Sequence, residues 1–207
     1  MAGPGRPRAF DVDEALDAAV DVFWRRGFAG ASLSELAAAM GVNKPSVYGA
    51  FGDKAQLFQA ALRRYVERNM GYVTDALDRP TARECARAFL VANAQAVTMP
   101  GRPAGCLSVQ AVTTPDDSGE FAVLAQNRAT VQRLFADRFR RAIAVGDLPA
   151  GEDPDELATF LITVSSGFAI RAADGTPRDS LLAAADRAMA AFPAGPRSTE
   201  PKETTRG

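Results

Sequence analysis

Histidine is absent from all 207 residues, which removes His-based catalytic triads and imidazole metal ligands from consideration. Cysteine is nearly absent: Cys85 and Cys106 are too few and too far apart for a zinc cluster, so no metal and no other cofactor is expected. A nucleophile elbow, a phosphate-binding loop and a paired acidic motif are missing too. An enzyme would need a Ser-Lys, cysteine or carboxylate mechanism, and the sequence is read as that of a non-enzyme. No run approaches the roughly 20 consecutive apolar residues of a membrane span. The N-terminus, interrupted by Gly, Pro and Arg, is no signal peptide, so the expected location is the cytoplasm with no membrane partner. An excess of one charge is also lacking, with 24 basic against 25 acidic residues. Bulk charge therefore gives no pointer to nucleic acid.

What is present is concentrated between Ser32 and Phe58. Leu33, Leu36, Ala37 and Met40 recur at i, i+3, i+4 and i+7, the spacing of one buried helix face. Ser32 followed by Glu35 is a capping box that starts this helix, and Gly41 directly after Met40 supplies the left-handed residue that stops it. Asn43 is a good N-cap for a second short helix, and Pro45 near its first position costs no helical hydrogen bond. Val42, Val47 and Phe51 can face a core, which leaves Lys44, Ser46 and Tyr48 outward beside the bulkless Gly49 and Ala50. Asp53 caps a third helix that begins at Lys54. First-turn amides and ammonium groups favour anions, and hydroxyls with a tyrosine ring can meet phosphate, sugar or base edge. At this point a DNA-binding helix-turn-helix and an ordinary buried helical hairpin both remain open.

The flanks add to the first reading. A helix from about Asp13 to Arg26 carries Val12, Leu16, Ala19, Val20, Phe23 and Trp24 on one side and ends at Gly27. Ahead of it, residues 1–10 form a basic, proline-containing arm expected to be flexible. Arg6 and Arg8 on such an arm either enter a narrow minor groove or belong to a disordered terminus. Residues 1–54 hold six basic and seven acidic side chains, a net −1, so affinity has to come from placement.

These residues resemble the TetR family of one-component transcriptional regulators. The likeness covers about residues 10–58 through Phe23, Gly27-Phe28, Ser32, Leu36-Ala37, Gly41-Val42, Lys44-Pro45-Ser46, Val47-Tyr48, Phe51, Asp53-Lys54 and Leu57-Phe58. It implies an all-α homodimer, with a three-helix helix-turn-helix domain at residues 11–56 and a helical ligand-binding and dimerisation domain at 57–192, about nine helices in all. It further implies that Ser32, Lys44, Pro45, Ser46, Tyr48 and Lys54 meet double-stranded DNA, and that a small-molecule effector releases a repressor from its pseudo-palindromic operator. The chain departs from the pattern at Ala50, where an aromatic residue or histidine is common. A helical small-molecule carrier or protein-interaction module without DNA binding is the rival reading.

Beyond Phe58 the period is helical throughout. One helix is expected to run from Lys54 to about Leu77, with breaks at Arg79-Pro80, at 100–103 and at 146–154, and a disordered tail at 193–207. Asn93, Gln95, Met99, Cys106, Gln110, Gln126 and Asn127 are the polar or soft side chains on otherwise apolar helices, the composition of a ligand pocket wall. The absence of an obvious buried charge cluster favours a neutral or apolar effector. Cys106 could also serve as an oxidant sensor, though a buried cysteine is more often inert packing. Leu157, Phe160, Leu161, Val164 and Phe168 share one helix face, and Leu181, Ala185, Ala188, Met189 and Phe192 share another. Such faces either form a four-helix dimer interface or complete the core of the protomer, and family likeness favours the dimer.

Overall fold

A computed structural model describes residues 10–110 and 120–195, which form ten helices and, among the described residues, no strand. The first three build the N-terminal unit: α1 (Val12–Gly30), α2 (Leu33–Ala39) and α3 (Lys44–Phe51). Asp11 caps α1 by accepting from the amides of Asp13 and Glu14, and the acids at those two positions suit the positive end of the helix dipole. Gly27 is non-helical inside α1, so the helix kinks where the sequence pattern ended it. Ser32 caps α2 and Gly41 takes the positive φ of 67° expected after Met40.

α4 (Lys54–Asn69) leads out of this unit, and its N-terminal half is held by Phe23, fully buried and edge-on to Phe58 at 5.0 Å between ring centroids. Such ring pairs contribute about 0.5–1.5 kcal/mol beyond their burial. The helix expected to continue to Leu77 breaks at Met70 and restarts as α5 (Gly71–Leu77). Two residues account for the break. Asn69 turns its amide back onto the Tyr65 carbonyl at 2.9 Å, competing with the helix ladder, and Gly71 weakens propagation.

The C-terminal unit adds α6 (Ala82–Val97), the short α7 (Leu107–Gln110), α8 (Glu120–Ala144), α9 (Pro154–Ala173) and α10 (Arg178–Ala191). A row of rings threads its core: Tyr72, Phe89, Phe135, Phe139 and Phe192 follow one another at centroid separations of 5.9, 4.5, 6.1 and 5.4 Å. The row joins four helices or helix ends, α5, α6, α8 and the end of α10, that lie far apart in sequence.

The final two helices correct one expectation. Leu161, Phe168, Leu181, Ala185 and Met189 are buried in the chain's own core, so they are not free to meet a second copy. Leu157, Phe160 and Val164 are half-buried. Helical periodicity marks which face is apolar, but the cover comes here from α6 and α8 of the same chain. α9 is nevertheless apolar on both sides. It is long and apolar enough to cross a membrane by length and composition, with a mean hydropathy of 1.2, and only 33% of that stretch is buried. Ile170 is 53% exposed on its outer side.

Candidate nucleic-acid interface

The leading edge of α3 is built by local capping. Asn43 Oδ1 accepts the Ser46 amide at 2.9 Å and the Ser46 hydroxyl at 2.8 Å, and Pro45 occupies the first turn. Val47 is buried and Val42 and Phe51 are half-buried against the core, as their spacing predicts. That anchoring turns Lys44, Pro45, Tyr48, Gly49 and Ala50 to the outside, with Tyr48 51% exposed. Ser46 is half-buried and its hydroxyl proton is committed to Asn43, so toward a ligand it can only accept. Ser32 is exposed and accepts the Glu35 amide at 3.1 Å, which leaves its hydroxyl proton for an outside acceptor.

Lys54, in the first turn of α4, lies with Nζ 4.4 Å from the Phe28 ring centroid. The aromatic face positions the ammonium at the border of the α3 surface. Gly52 makes this junction possible. Its φ is 82°, and a Cβ there would sit 1.6 Å from Gln56 Oε1, the atom that reaches back to the Asp53 amide to close the capping box.

Local acidity is largely drawn off this surface. Glu35 pairs with Arg26 at 3.2 Å, and Asp17 takes Arg64 at 2.9 Å together with Arg68. The hydrogen bond from Arg64 outweighs burial and holds the Asp17 carboxyl below its ordinary range. Lys44 has no carboxylate within ion-pair distance among the described residues. The net −1 of the segment therefore conceals an α3 edge whose only formal charge is positive. Arg6 and Arg8 lie outside the described residues.

The residues singled out for ligand binding divide among several places. Asn93, Cys106 and Asn127 meet around a small cavity of about 40 Å³ beside Tyr72, Phe89, Ser108 and Arg128. Asn93 Nδ2 donates to the Tyr72 hydroxyl at 3.0 Å, while its Oδ1 is buried without a partner among the described residues. Burial raises the Tyr72 and Tyr65 hydroxyl pKa values, and the Tyr65 hydroxyl donates to Cys106 Sγ at 3.2 Å. Arg128 has its pKa lowered by burial and donates to the Ser108 carbonyl. Met99 and Gln95 line a neighbouring cavity of about 300 Å³, which shares Tyr72 and Cys106 with the first. Gln126 faces a separate outer groove between α4 and α8, so it is not part of this pocket wall. The side chain of Gln110 lies outside the described residues.

Trp24, Tyr65, Arg68 and Arg102 also line the larger cavity, and no pattern along the chain groups them. Three of them fell on helices whose apolar spacing reads as plain core, and Arg102 stands in a loop. The orphan donor of Trp24, Nε1, has no sequence signature.

Comparison with known proteins agrees with this architecture. Residues 15–61 match the family of bacterial regulatory proteins, tetR family, and residues 82–191 match the tetracyclin repressor-like C-terminal domain. The chain is 32% identical to the HTH-type transcriptional repressor ComR of Escherichia coli K12 over 91% of its own length and 92% of that protein's. It is 34% identical to the repressor BdcR of the same organism, over 88% and 89%. Among solved structures, a cysteine mutant of the TetR family regulator CifR, complexed with 26-base-pair double-strand operator DNA, shares 46% identity and a TM-score of 0.86 over 91% of this chain and all of that one. Both halves of the molecule, the capped helix-turn-helix and the helical bundle behind it, thus match the same group of proteins. The chain belongs to the TetR family of bacterial transcriptional regulators.

Proposed function

We propose that this protein is a cytoplasmic repressor that binds a pseudo-palindromic operator as a homodimer and leaves it when a small molecule enters the C-terminal unit. One observation carries the reading: the edge of α3 presents Lys44, Pro45 and Tyr48 to the outside at the capped start of the helix, and no acidic side chain lies in that turn. In such an arrangement the ammonium group holds a phosphate at the positive end of the helix while the protruding ring and small residues approach base edges. Residues 11–56 serve as the reading head, and 57–192 as the unit that senses and pairs. The chain contributes no catalytic group to this role.

A second copy is best received by the less covered side of α9, where Phe160, Thr163, Gly167 and Ile170 fall one turn apart, together with the exposed Ala183 and Ala184 of α10. Pairing there would hold two α3 helices roughly 34–36 Å apart, one turn of DNA. α4 is the lever. It carries Lys54 at one end, and Tyr65, Arg68 and Asn69 on cavity walls at the other. A ligand that moves the far end tilts the near end, provided that it binds the DNA-incompetent arrangement more tightly, since equal affinity shifts nothing.

Selection of bound fragments from genomic DNA at two salt concentrations tests the proposal. A shared palindromic sequence bound more weakly at the higher salt is the expected outcome. Failure to enrich any sequence at either concentration would sink it.

A further inference from the structure

The larger cavity has a chemical bias. It lies where α1, α4 and α6 meet the loop that leads to α7, and it encloses about 300 Å³, the volume of about ten water molecules. Its wall is aromatic and apolar on one side, through Trp24, Tyr65, Tyr72 and Met99. The charged groups on that wall are Arg68 and Arg102, and no Asp or Glu lines it. Arg68 is paired with Asp17, and Asp17 and Asp21 line an adjoining cavity that shares Trp24, Tyr65, Arg68, Asn69 and Arg102 with this one. Arg102 donates to Asn69 Oδ1 and has no carboxylate within ion-pair distance among the described residues. A guanidinium has five donors, and among the described residues Arg102 uses one of its nitrogens, Nη1, on Asn69.

A second, independent feature points the same way. The Trp24 side chain is 6% exposed and its Nε1–H, a donor only, has no acceptor among the described residues. A buried donor left unmade costs free energy that an acceptor oxygen would return. The Tyr65 and Tyr72 hydroxyls keep lone pairs, but neither accepts from Nε1, which has no partner among the described residues.

We infer that this cavity binds a small organic anion: an apolar body of about ten non-hydrogen atoms against the aromatic rings, with a carboxylate or similar oxyanion shared by Arg102, Arg68 and the Trp24 indole. Guanidinium groups favour such oxygens over neutral amides because the bonds are charge-assisted. The site joins α1 of the reading head to the loop after α6, so an occupant touches both units. Binding itself is independent of the repressor reading, and only its consequence at DNA rests on that reading. The charge bias differs from the neutral or apolar effector expected from the sequence.

Trp24 is the sole tryptophan of the chain, which makes its emission a direct probe of the cavity. The full-length protein is titrated with hexanoate and cyclohexanecarboxylate, and in parallel with hexanamide and cyclohexanecarboxamide. The acids are expected to change the emission saturably at concentrations at least tenfold below the amides. Arg102→Gln is expected to weaken the acids about tenfold, while Arg87→Gln, on the distant α6–α10 surface, leaves them unchanged. Amides that match the acids, an unaltered titration in Arg102→Gln, or emission indifferent to all four compounds would each overturn the inference. Anisotropy of a labelled fragment from the genomic selection separates the two readings. A protein that takes up the acids but never binds DNA keeps the anion site and loses the repressor; one that binds DNA and takes up no acid loses only the anion site.

Discussion

The edge of α3 and the cavity beside Trp24 are made in opposite ways. At α3 the decisive bonds span three residues: Asn43 to Ser46, Ser32 to Glu35, Asp53 to Gln56. Around the cavity they span dozens, from Tyr65 to Cys106, from Tyr72 to Asn93, and from Arg102 to Asn69. A surface made from local caps can tolerate drift in the rest of the bundle. A cavity made from distant segments changes whenever those segments move, which suits a reading head and a sensor respectively.

The contrast is broken most severely at the core that the two regions share. Phe58→Ala removes a fully buried ring that packs on Phe23 and Phe28. A loss of about 3–5 kcal/mol is expected, read by urea unfolding, and it should abolish DNA binding and cavity binding together. If cavity binding survived intact, the two regions would be energetically separate and the lever role of α4 would fail.

Lys44→Ala sharpens the comparison at the reading head alone. Binding to operator should weaken at every sequence, and the slope of log affinity against log salt should shallow by about one. Tryptophan titrations with carboxylates should be unchanged. An unaltered salt slope would remove Lys44 from the interface.

Asn43→Ala tests how local the α3 edge is. Loss of the cap should cost about 1 kcal/mol in thermal or urea unfolding, with little effect on the cavity because the bonds of Asn43 stay within its own turn.

The smallest expected effect lies in the C-terminal unit. Burial pushes the Cys85 thiol up to about 11 from an ordinary 9.0, against the partial relief of Arg138 and Arg141. The folded chain keeps a proton that the unfolded chain gives up. The corresponding stability is complete below pH 9 and is lost as pH rises from about 9 through 11. Melting temperatures at pH 8 and pH 10 should therefore diverge less in Cys85→Ala than in the unsubstituted protein. The same burial should keep Cys85 unreactive toward iodoacetamide at pH 8.

The legibility of the molecule follows the same division. Ser32, Gly41, Asn43, Pro45 and Asp53 announced the ends of α2, α3 and α4, since each acts through bonds or dihedrals within a turn of itself. Apolar spacing likewise located the helices of the C-terminal half, apart from the interruption at Met70. Spacing could not say what each apolar face meets. Leu161, Phe168, Leu181, Ala185 and Met189 were read as facing a partner and are covered by their own chain. Gln126 shared the composition of a pocket residue and faces an outer groove instead. Trp24 looked like ordinary core because an unmade indole hydrogen bond depends on what the other nine helices place around it.

The amino-acid order alone determined the helical period, the caps and the exposed edge of α3, because propensity, capping and i, i+3, i+4 spacing are physics of neighbouring residues. Only tertiary structure decided which apolar faces are interior, which guanidinium lacks a carboxylate, and where a buried donor stands without an acceptor. Those properties belong to contacts between segments tens of residues apart, and no local rule along the chain specifies them.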